Sequence, residues 1–543
     1  RNYARGLTLP RPVLRLHPLM RVLVCDNVSP KGVATLEASP ELQVTVVDSS
    51  LTDELLATAE AIVVRSATKI TPEVMCKAPK LRAVGRAGVG VDNVDVDYAT
   101  SRGIVVMNTP AGNTISTAEL TFSMMMALAR NIPQAHLSMK GGKWDRKKYG
   151  GTELSGKTLG ICGMGRIGGQ VARRAIAFGM RVLAYDPFLS LSKARELQVE
   201  LLELDELMER SDFITVHMPL TDQTRDMINA ESIARMKDGV FLVNCARGGI
   251  INETDIVAAV QSGKVGGCAL DVYETEPCPE DSPLRTEPNI VMTPHLGAST
   301  KEAQESVGIE VAEAITDFLV NGAVRNAVNM PSLDAKAYEA VKPYLDLGEK
   351  LGKLVAQLGS QRNKQLKITY GGKAAEVPAD PVTRFVIKGF LESAGGNEAN
   401  QVNVRAMASS LGIMVEEVKA HEGPDYAEWM HVEATAEDGS LVSAAGTFFG
   451  GQSRIVRING RNVEAAAEGV LFLMNNVDKP GMVGYIGSLM GEHQVNIANM
   501  SLNRDEEGGE ALMLLNLDHA PPAALLDNVA QDSEITNVKV ISL

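Results

Sequence analysis

The sequence has few cysteines, few aromatic residues and no long apolar run, and each absence excludes a class of protein. The six cysteines include no Cys-x-x-Cys pair, and none follows Cys278. This argues against a disulfide scaffold or a structural metal site and favours a reducing compartment such as the cytoplasm. No segment approaches the roughly 18 consecutive apolar residues that span a bilayer, so we expect no membrane partner. Aromatic residues make up 4% and the net charge is −14, which argues against nucleic-acid binding.

The first 19 residues differ from the rest of the chain. They contain four arginines and no acid, a composition typical of organelle transit peptides. Three prolines interrupt any helix, however, and serine is absent. We favour the interpretation that Met20 is the start and that 1–19 is an upstream extension. A genuine transit peptide would instead imply organellar targeting.

From residue 20 to about 330, short apolar segments alternate with helical patterns, which predicts parallel sheets covered by helices. The segments are too many for one sheet, and a glycine-rich turn comes late, near residue 163. We therefore predict an α/β unit that is interrupted by a nucleotide-binding unit. A helix after Thr300 returns to the first unit and ends at Gly322.

The pattern changes after residue 331. Residues 334–361 predict one or two helices, and 365–465 predict short strands with one helix. Residues 468–543 follow the order strand, helix, strand, strand, helix, strand, which is the ferredoxin-like βαββαβ unit.

A phosphate-binding motif is the strongest local signal. Gly163, Gly165 and Gly168 form a GxGxxG sequence that follows a strand and opens a helix. The first glycine permits a sharp turn, the second lets a pyrophosphate approach the main chain, and the third lets helix and strand pack closely. Asp186 ends the next strand, where its carboxylate accepts hydrogen bonds from ribose hydroxyls and repels a 2′-phosphate. The motif therefore predicts NAD rather than NADP as cofactor.

Three polar residues follow later strands of the same unit. Arg247, Glu276 and His295 each come after a predicted parallel strand, at the sheet edge where ligands bind in open α/β sheets. Arginine binds a carboxylate through two hydrogen bonds, and histidine exchanges a proton with a hydroxyl near neutral pH. A neighbouring carboxylate orients the histidine and stabilises its protonated form. Together they predict hydride transfer between a 2-hydroxy acid and NAD.

Five motifs carry a resemblance to a known family. They are Arg65–Lys69, Val84–Asn93, Asn244–Ile250, Ala269–Tyr273 and Pro294–Gln304. With them the chain resembles the D-isomer-specific 2-hydroxyacid dehydrogenases, and specifically the long members that act on 3-phosphoglycerate. The resemblance extends over essentially the whole chain after Met20. It implies NAD-dependent oxidation of D-3-phosphoglycerate to 3-phosphohydroxypyruvate, the first step of L-serine biosynthesis.

The resemblance also implies roles for individual residues. In the family the arginine binds the substrate carboxylate, and the histidine and glutamate form a proton relay, which gives Arg247, His295 and Glu276 as catalytic residues. The positions implied to contact NAD are Gly163, Gly165, Arg166, Ile167, Gly168, Asp186, Cys245, Ala246, Arg247, Asp271, His295, Leu296, Gly297 and Ala298. The positions implied to contact substrate are Arg65, Ser66, Gly88, Val89, Asn113 and Arg247. Val89 departs from members with threonine, so only its backbone is expected to contribute.

The substrate phosphate requires a cation. Arg65 is one candidate, since it follows a strand of the first unit. The basic run 140–148 is another, with a solvated face or a subunit contact as the alternative explanation.

The resemblance divides the chain into five parts. These are a leader (1–19), a discontinuous flavodoxin-like substrate domain (20–112 and 299–330), a Rossmann-type NAD domain (113–298), an α+β intervening domain (331–467) and an ACT regulatory domain (468–543). ACT units often pair and bind an amino acid at the seam, so we expect a homo-oligomer, dimer or tetramer, and an L-serine effector. Asn476, Asp478 and Asn496 occupy the effector positions, and the first two differ in type from serine-inhibited relatives.

Two other functions remain open from the sequence. One is a hydroxypyruvate or glyoxylate reductase, or another D-2-hydroxyacid dehydrogenase, on the same fold. The other is an NAD-sensing corepressor, against which the ACT-like tail and the acidic charge argue. Glu276 disfavours formate dehydrogenase, in which the relay acid would be glutamine.

Overall fold

The computed structural model describes residues 19–543 except 49, 334, 360–361, 396–397 and 421–425. The interpretation of the leader therefore falls on residues outside the described part of the chain, apart from residue 19. The first unit is a five-stranded parallel sheet in the order β2-β1-β3-β4-β5, which is the flavodoxin-like order. Its elements are β1 (Met20–Val24), α1 (Pro30–Glu37), β2 (Leu42–Val46), α2 (Asp53–Leu56), β3 (Ala61–Val64), α3 (Pro72–Cys76), β4 (Ala83–Arg86), α4 (Val96–Ser101) and β5 (Val105–Met107).

The second unit is a seven-stranded parallel sheet in the order β12-β11-β10-β9-β6-β7-β8. Buried apolar residues cover both of its faces, as expected for a parallel sheet between helices. Its elements are α5 (Thr114–Ala129), α6 (Ile132–Lys140), β6 (Thr158–Cys162), α7 (Arg166–Ala177), β7 (Arg181–Tyr185), α8 (Leu191–Glu196), β8 (Glu200–Leu201), α9 (Leu204–Arg210), β9 (Phe213–Val216), α10 (Ala230–Arg235), β10 (Val240–Asn244), α11 (Glu253–Gln261), β11 (Val265–Leu270) and β12 (Ile290–Met292).

The chain then returns to the first sheet through α12 (Lys301–Thr316). This helix lies so close to α1 that a Cβ on Gly32 would sit 2.6 Å from the Gly308 carbonyl oxygen. A π-helical turn follows, and Gly322 ends it in the left-handed conformation, with φ 74°. The predicted return helix and its end are thereby confirmed, and the chain leaves the unit beside β5, where Val328 N–H donates to the Val106 carbonyl over 2.8 Å.

The third unit packs helices against a mostly antiparallel sheet in the order β14-β13-β15-β16-β17-β18. A single helix covers most of residues 334–361, for which one or two helices are predicted. The described part of residues 365–465 contains two α-helices, where one is predicted. The missed helix, α15, has only seven residues. The elements are α13 (Ala335–Leu358), β13 (Asn363–Gly372), α14 (Ala379–Ser393), α15 (Val404–Ser410), β14 (Met414–Ala420), β15 (Glu428–Ala436), β16 (Leu441–Phe449), β17 (Gln452–Ile458) and β18 (Arg461–Ala466).

The fourth unit is the predicted βαββαβ fold, an antiparallel sheet in the order β20-β21-β19-β22. Its elements are β19 (Val470–Val477), α16 (Met482–Glu492), β20 (Ile497–Arg504), β21 (Glu510–Leu517), α17 (Ala523–Ala530) and β22 (Ile535–Ser542). Two helices cover one face of the sheet. The other face, with Leu471, Leu473 and Leu514, belongs to the same buried cluster as Leu354 and Val355 of α13. The third and fourth units therefore share one hydrophobic core.

The edges of these two sheets also meet. Strand β18 lies beside β20, where Glu464 N–H donates to the Ser501 hydroxyl over 3.0 Å. The Asn516 side chain accepts a hydrogen bond from the Ala466 N–H over 3.1 Å and donates one to the Ala466 carbonyl over 3.0 Å. Within the described residues, no helix is long and apolar enough to cross a bilayer.

Candidate active site

The glycine-rich loop between β6 and α7 has the geometry of a phosphate cradle. Gly163 adopts a φ of 96°, which only glycine adopts readily. A Cβ on Gly165 would meet nothing within 4 Å, whereas one on Gly168 would lie 2.0 Å from the Gly163 carbonyl oxygen. The loop thus leaves open space at its second glycine, at the N-terminus of a 12-residue helix. Such a terminus attracts a pyrophosphate, so these residues fit NAD.

Asp186 ties the end of β7 to this loop. Its Oδ2 accepts from the Met164 N–H and its Oδ1 from the Phe188 N–H, both over 2.8 Å. Each oxygen retains a lone pair for a ribose hydroxyl. Arg166 lies exposed and Ile167 half-buried at the start of α7.

His295 and Glu276 form a hydrogen-bonded pair. The His295 Nδ1 lies 2.7 Å from the Glu276 Oε2, and the other carboxylate oxygen accepts from the Tyr273 N–H over 3.1 Å. Partial burial alone would raise the pKa of Glu276. The hydrogen bond and charge of His295, the Tyr273 N–H and the charge of Arg247 outweigh burial and lower this pKa. Glu276 is therefore held as a carboxylate against the imidazole.

Asp271 fixes the loop that carries His295. It is fully buried; its Oδ1 accepts from the Thr293 hydroxyl and the Leu296 N–H, and its Oδ2 from the Gly297 N–H, at 2.6 to 2.9 Å. Burial raises the pKa of Asp271, although these hydrogen bonds and the charge of His295 oppose the rise. Asp271 thus lies beneath the surface, while Leu296 is exposed and Ala298 half-buried beside it.

The same loop is attached to the start of α5. The Gly297 carbonyl accepts from the Ser116 and Thr117 hydroxyls over 2.8 and 3.0 Å. Asn113 precedes that helix, and its buried Oδ1 has no hydrogen-bond partner among the described residues. The histidine loop and Asn113 therefore lie at the same crossing between the two parallel-sheet units.

Arg247 follows β10 in a loop held by Asn244. The Asn244 side chain accepts from the Ala246 N–H over 2.9 Å and donates to the Arg247 carbonyl over 2.8 Å. Cys245 is buried against Met124, and burial raises the pKa of its thiol to about 12. Cys245 is accordingly a buried, uncharged residue of this loop, whereas the Arg247 side chain reaches the cleft.

The substrate-side loops of the first unit are held by Asp26 and Asn93. Asp26 accepts from the N–H groups of Arg65 and Thr68, at 2.8 and 3.0 Å. Asn93 donates to the carbonyls of the same two residues. Ser66 lies exposed between them, so the loop presents Arg65 and Ser66 on a fixed backbone.

Arg86 is a cleft cation that sequence reasoning missed. Its pKa is lowered to about 10 by burial and by the positive charges of Arg247 and Arg65, against the attraction of Asp92 and Asp26. A Cβ on Gly88 would lie 1.4 Å from the Arg86 Nη1, so the guanidinium lies on the Gly88 backbone. The Val89 carbonyl accepts from Asn108 over 2.6 Å. Arg86 stands inside the recognised segment Val84–Asn93, and its position at the end of β4 is the signal that would have identified it.

The basic run 140–148 lies on the surface at the end of α6. Leu137 and Met139 of α6 are 70% and 52% exposed, and Trp144 of the run is 75% exposed. Together with Lys143 and Lys148, Leu137 borders a cavity of about 760 Å³ beside α5. No contact places this run beside Arg65 or Arg247 within the described part of the chain.

The three predicted effector residues do not meet within one chain. Asn476 pairs across the sheet with Ala511, and Ala511 pairs with Arg504. Asn496 precedes Ile497, which pairs with Leu517 at the opposite end of the sheet. Asp478 contacts Arg504 at 3.1 Å, whereas Asn496 donates to Asp518 over 2.9 Å. Asn476 and Asp478 thus share one end, and Asn496 lies at the other.

Among the described residues, no group of three or more His, Cys, Asp or Glu side chains is arranged to hold a metal ion.

Three family models match the chain. The D-isomer specific 2-hydroxyacid dehydrogenase NAD binding domain matches residues 122–297, the D-3-phosphoglycerate dehydrogenase intervening domain 340–459, and the ACT domain 470–533. An Archaeoglobus fulgidus protein named D-3-phosphoglycerate dehydrogenase is 42% identical over 96% of this chain and 100% of its own length. A Bacillus subtilis protein of the same name is 41% identical over 97% and 100%.

Solved structures match more than half of the chain. The TT0316 protein of Thermus thermophilus aligns with a TM-score of 0.52 and 34% identity, over 57% of this chain and all of its own. A formate dehydrogenase of Staphylococcus aureus in complex with NAD aligns with a TM-score of 0.52 and 30% identity, over 58% and 100%.

Proposed function

The chain belongs to the D-isomer-specific 2-hydroxyacid dehydrogenases of the D-3-phosphoglycerate dehydrogenase type, and we propose that Arg247, Glu276 and His295 perform its reaction. It is an NAD-dependent oxidoreductase that oxidises D-3-phosphoglycerate to 3-phosphohydroxypyruvate, the first step of L-serine biosynthesis. The observation that carries the assignment of residues is the 2.7 Å pair of His295 and Glu276 on a loop fixed by buried Asp271.

When bound, NAD would supply the acceptor for the hydride from C2 of the substrate. The three glycines and Asp186 would hold its pyrophosphate and ribose. His295 takes the proton from the 2-hydroxyl through Nε2, because its Nδ1 faces Glu276. The Glu276 carboxylate stabilises the imidazolium that results, and Arg247 binds the substrate carboxylate beside the reacting carbon.

We assign the substrate phosphate to Arg65 and Arg86. Both are on the substrate side of the cleft, and the positive charge of each acts on the other. With Arg247 they supply three cations for a substrate that carries a carboxylate and a phosphate. Ser66, the Gly88–Val89 backbone and Asn113 complete this side.

The test compares NAD reduction with 3-phosphoglycerate and with unphosphorylated D-glycerate. Activity that requires the phosphate supports the assignment, and a preference for glycerate would favour a hydroxypyruvate or glyoxylate reductase. His295→Ala is expected to lower kcat by roughly 10²–10⁴-fold, the usual contribution of general acid–base catalysis. NAD binding, measured by calorimetry, should stay unchanged. Near-normal turnover of this variant would remove His295 from the mechanism.

We further propose a homo-oligomer that pairs through α6 and the basic run. The exposed Leu137, Met139 and Trp144 support this, because large apolar side chains exposed within one short segment favour a protein contact. Leu137→Asp with Trp144→Glu should lower the mass in solution, measured by light scattering. An unchanged mass would place the contact elsewhere.

An L-serine site on the ACT domain would require two chains. Asn476 and Asp478 lie at one end of the sheet and Asn496 at the other, so a second ACT unit must bring them together. A serine titration of the wild type and of Asn496→Ala tests this. No response in either protein would leave the ACT domain without a serine role.

The six cysteines are all free thiols, which supports a cytoplasmic location.

A further inference from the structure

The Arg247 guanidinium is anchored at two of its three nitrogens. Its Nη1 donates to the Ala246 carbonyl over 2.7 Å, within its own loop. Its Nε lies 3.3 Å from the Asp92 Oδ2. Asp92 follows β4 in the first unit, whereas Arg247 follows β10 in the second. The ion pair therefore crosses the cleft between the two parallel-sheet units.

Gly90 shapes the remaining side of the guanidinium. A Cβ at this position would lie 1.8 Å from the Arg247 Nη2 and 2.6 Å from the Asp92 Oδ2. The guanidinium thus rests on the bare backbone of Gly90, in the substrate-side loop that also contains Gly88 and Val89. Its Nη2 lies against this backbone.

Asp92 and Glu276 are the acids that act on Arg247. The two oxygens of Glu276 already face His295 and the Tyr273 N–H, which leaves Asp92 as the ion-pair partner of Arg247. Asp26 is the other acid that acts on the neighbouring Arg86. Its two oxygens already accept three hydrogen bonds, from the Arg65 N–H and from the N–H and hydroxyl of Thr68. Asp92 is 75% exposed. The loop that carries it is held separately, through the hydrogen bonds of its neighbour Asn93.

We propose that Asp92 is a positioning residue that orients Arg247 from across the cleft. With the Nη1 held by the Ala246 carbonyl in the NAD domain and the Nε paired with Asp92 in the substrate domain, the guanidinium is held in one orientation. Recognition of the substrate carboxylate by Arg247 thereby depends on a residue of the opposite unit. This inference rests on the proposed role of Arg247.

The experiment measures kcat and KM for 3-phosphoglycerate in Asp92→Ala and Asp92→Asn. We expect kcat/KM of the alanine variant to fall about two- to fivefold, the size expected for an ion pair with an exposed partner. The loss should come mainly from a higher KM. The asparagine variant should retain part of the activity, because its amide oxygen still faces the Nε.

Asp97→Asn is the matched control, since it removes the same charge from an exposed position five residues away. We expect its KM to match the wild type. The NAD dissociation constant and the Tm should not change in any Asp92 variant, which separates positioning from damage to the fold. An unchanged KM in Asp92→Ala would make the pair a surface contact, and a lower KM would make Asp92 a competitor of the substrate. Either result overturns the proposal, whereas an absence of 3-phosphoglycerate oxidation in the wild type would instead overturn the proposed function.

Discussion

Replacing Glu276 by glutamine tests the proton relay most directly. The substitution preserves the size and an acceptor oxygen but removes the negative charge beside His295. At an effective dielectric constant of about 20, two unit charges 4 Å apart interact by about 4 kcal/mol. His295 and Glu276 are 48% and 37% exposed, so water screens the pair, and we take about 1–2 kcal/mol as the stabilisation that remains.

This energy stabilises the imidazolium that forms as the substrate hydroxyl loses its proton. Its loss predicts that kcat of Glu276→Gln falls about 5- to 30-fold, at roughly 1.4 kcal/mol for each factor of ten. KM for NAD should not change, because Glu276 contacts no residue of the glycine-rich loop among its described partners.

The pH profile provides the second readout. The pKa of Glu276 lies below its ordinary value of 4.5, so the carboxylate remains ionised until the pH falls below that value. Its contribution to folding is present above pH 4.5 and is lost as the pH falls through the lowered pKa. Glu276→Gln should also shift the pH profile of kcat/KM, because a neutral amide cannot stabilise the imidazolium that forms in the reaction.

The assay is NADH formation at 340 nm with saturating cofactor, measured across the pH range in which the protein stays folded. Glu276→Asp serves as the control that keeps the charge and shortens the side chain. If Glu276→Gln kept both the wild-type kcat and the wild-type pH profile, Glu276 would not be the partner of His295 in the reaction.

Three further substitutions test the cofactor loop and the intervening domain. Asp186→Ala should raise KM for NAD about tenfold, the effect of a lost charge-assisted hydrogen bond, and should improve the relative use of NADP; equal use of both cofactors by the wild type would already contradict this. Gly168→Ala places a Cβ 2.0 Å from the Gly163 carbonyl, so it should weaken NAD binding in calorimetry and lower the free energy of unfolding by about 1–3 kcal/mol. Gly169→Ala, which meets nothing within 4 Å, is its control and should neither weaken NAD binding nor lower the free energy of unfolding. Gly352→Ala places a Cβ 2.0 Å from the Val386 carbonyl where α13 crosses α14 and should lower the Tm, whereas Gly484→Ala in open space should not.

Sequence patterns predicted the parts of the fold that depend on local chemistry. The three glycines and Asp186 were recognisable because the loop, the helix and the following strand are contiguous in the chain. The order of elements in the fourth unit was equally visible, because each strand there is either a run of apolar residues or an alternation of apolar and polar residues. The apolar signal is weaker in strand β2, because it is an edge strand with mostly exposed or half-exposed residues.

The functional residues that the sequence did not reveal were missed for a different reason. Arg86 and Asp92 act across a cleft between two units that are distant in sequence from each other, so no spacing in the chain reveals their partners. The resemblance also placed Asp271 among the cofactor contacts. It did not reveal that Asp271 is buried beneath the His295 loop and held there by hydrogen bonds. The positions of Asn476 and Asn496 at opposite ends of one sheet likewise follow from strand register, which residue types do not specify.

The shared core of the intervening and ACT domains determines where this chain can be recombined with its relatives. A chimaera joined at residue 468 would place a foreign sheet against Leu354 and Val355 and would have to reproduce the apolar face that carries Leu471, Leu473 and Leu514. It would also break the paired amide contacts of Asn516 with Ala466. A junction near residue 331 moves both domains together and leaves that face intact. The two C-terminal domains are therefore one unit of exchange, and an effector response would be transplanted only with both.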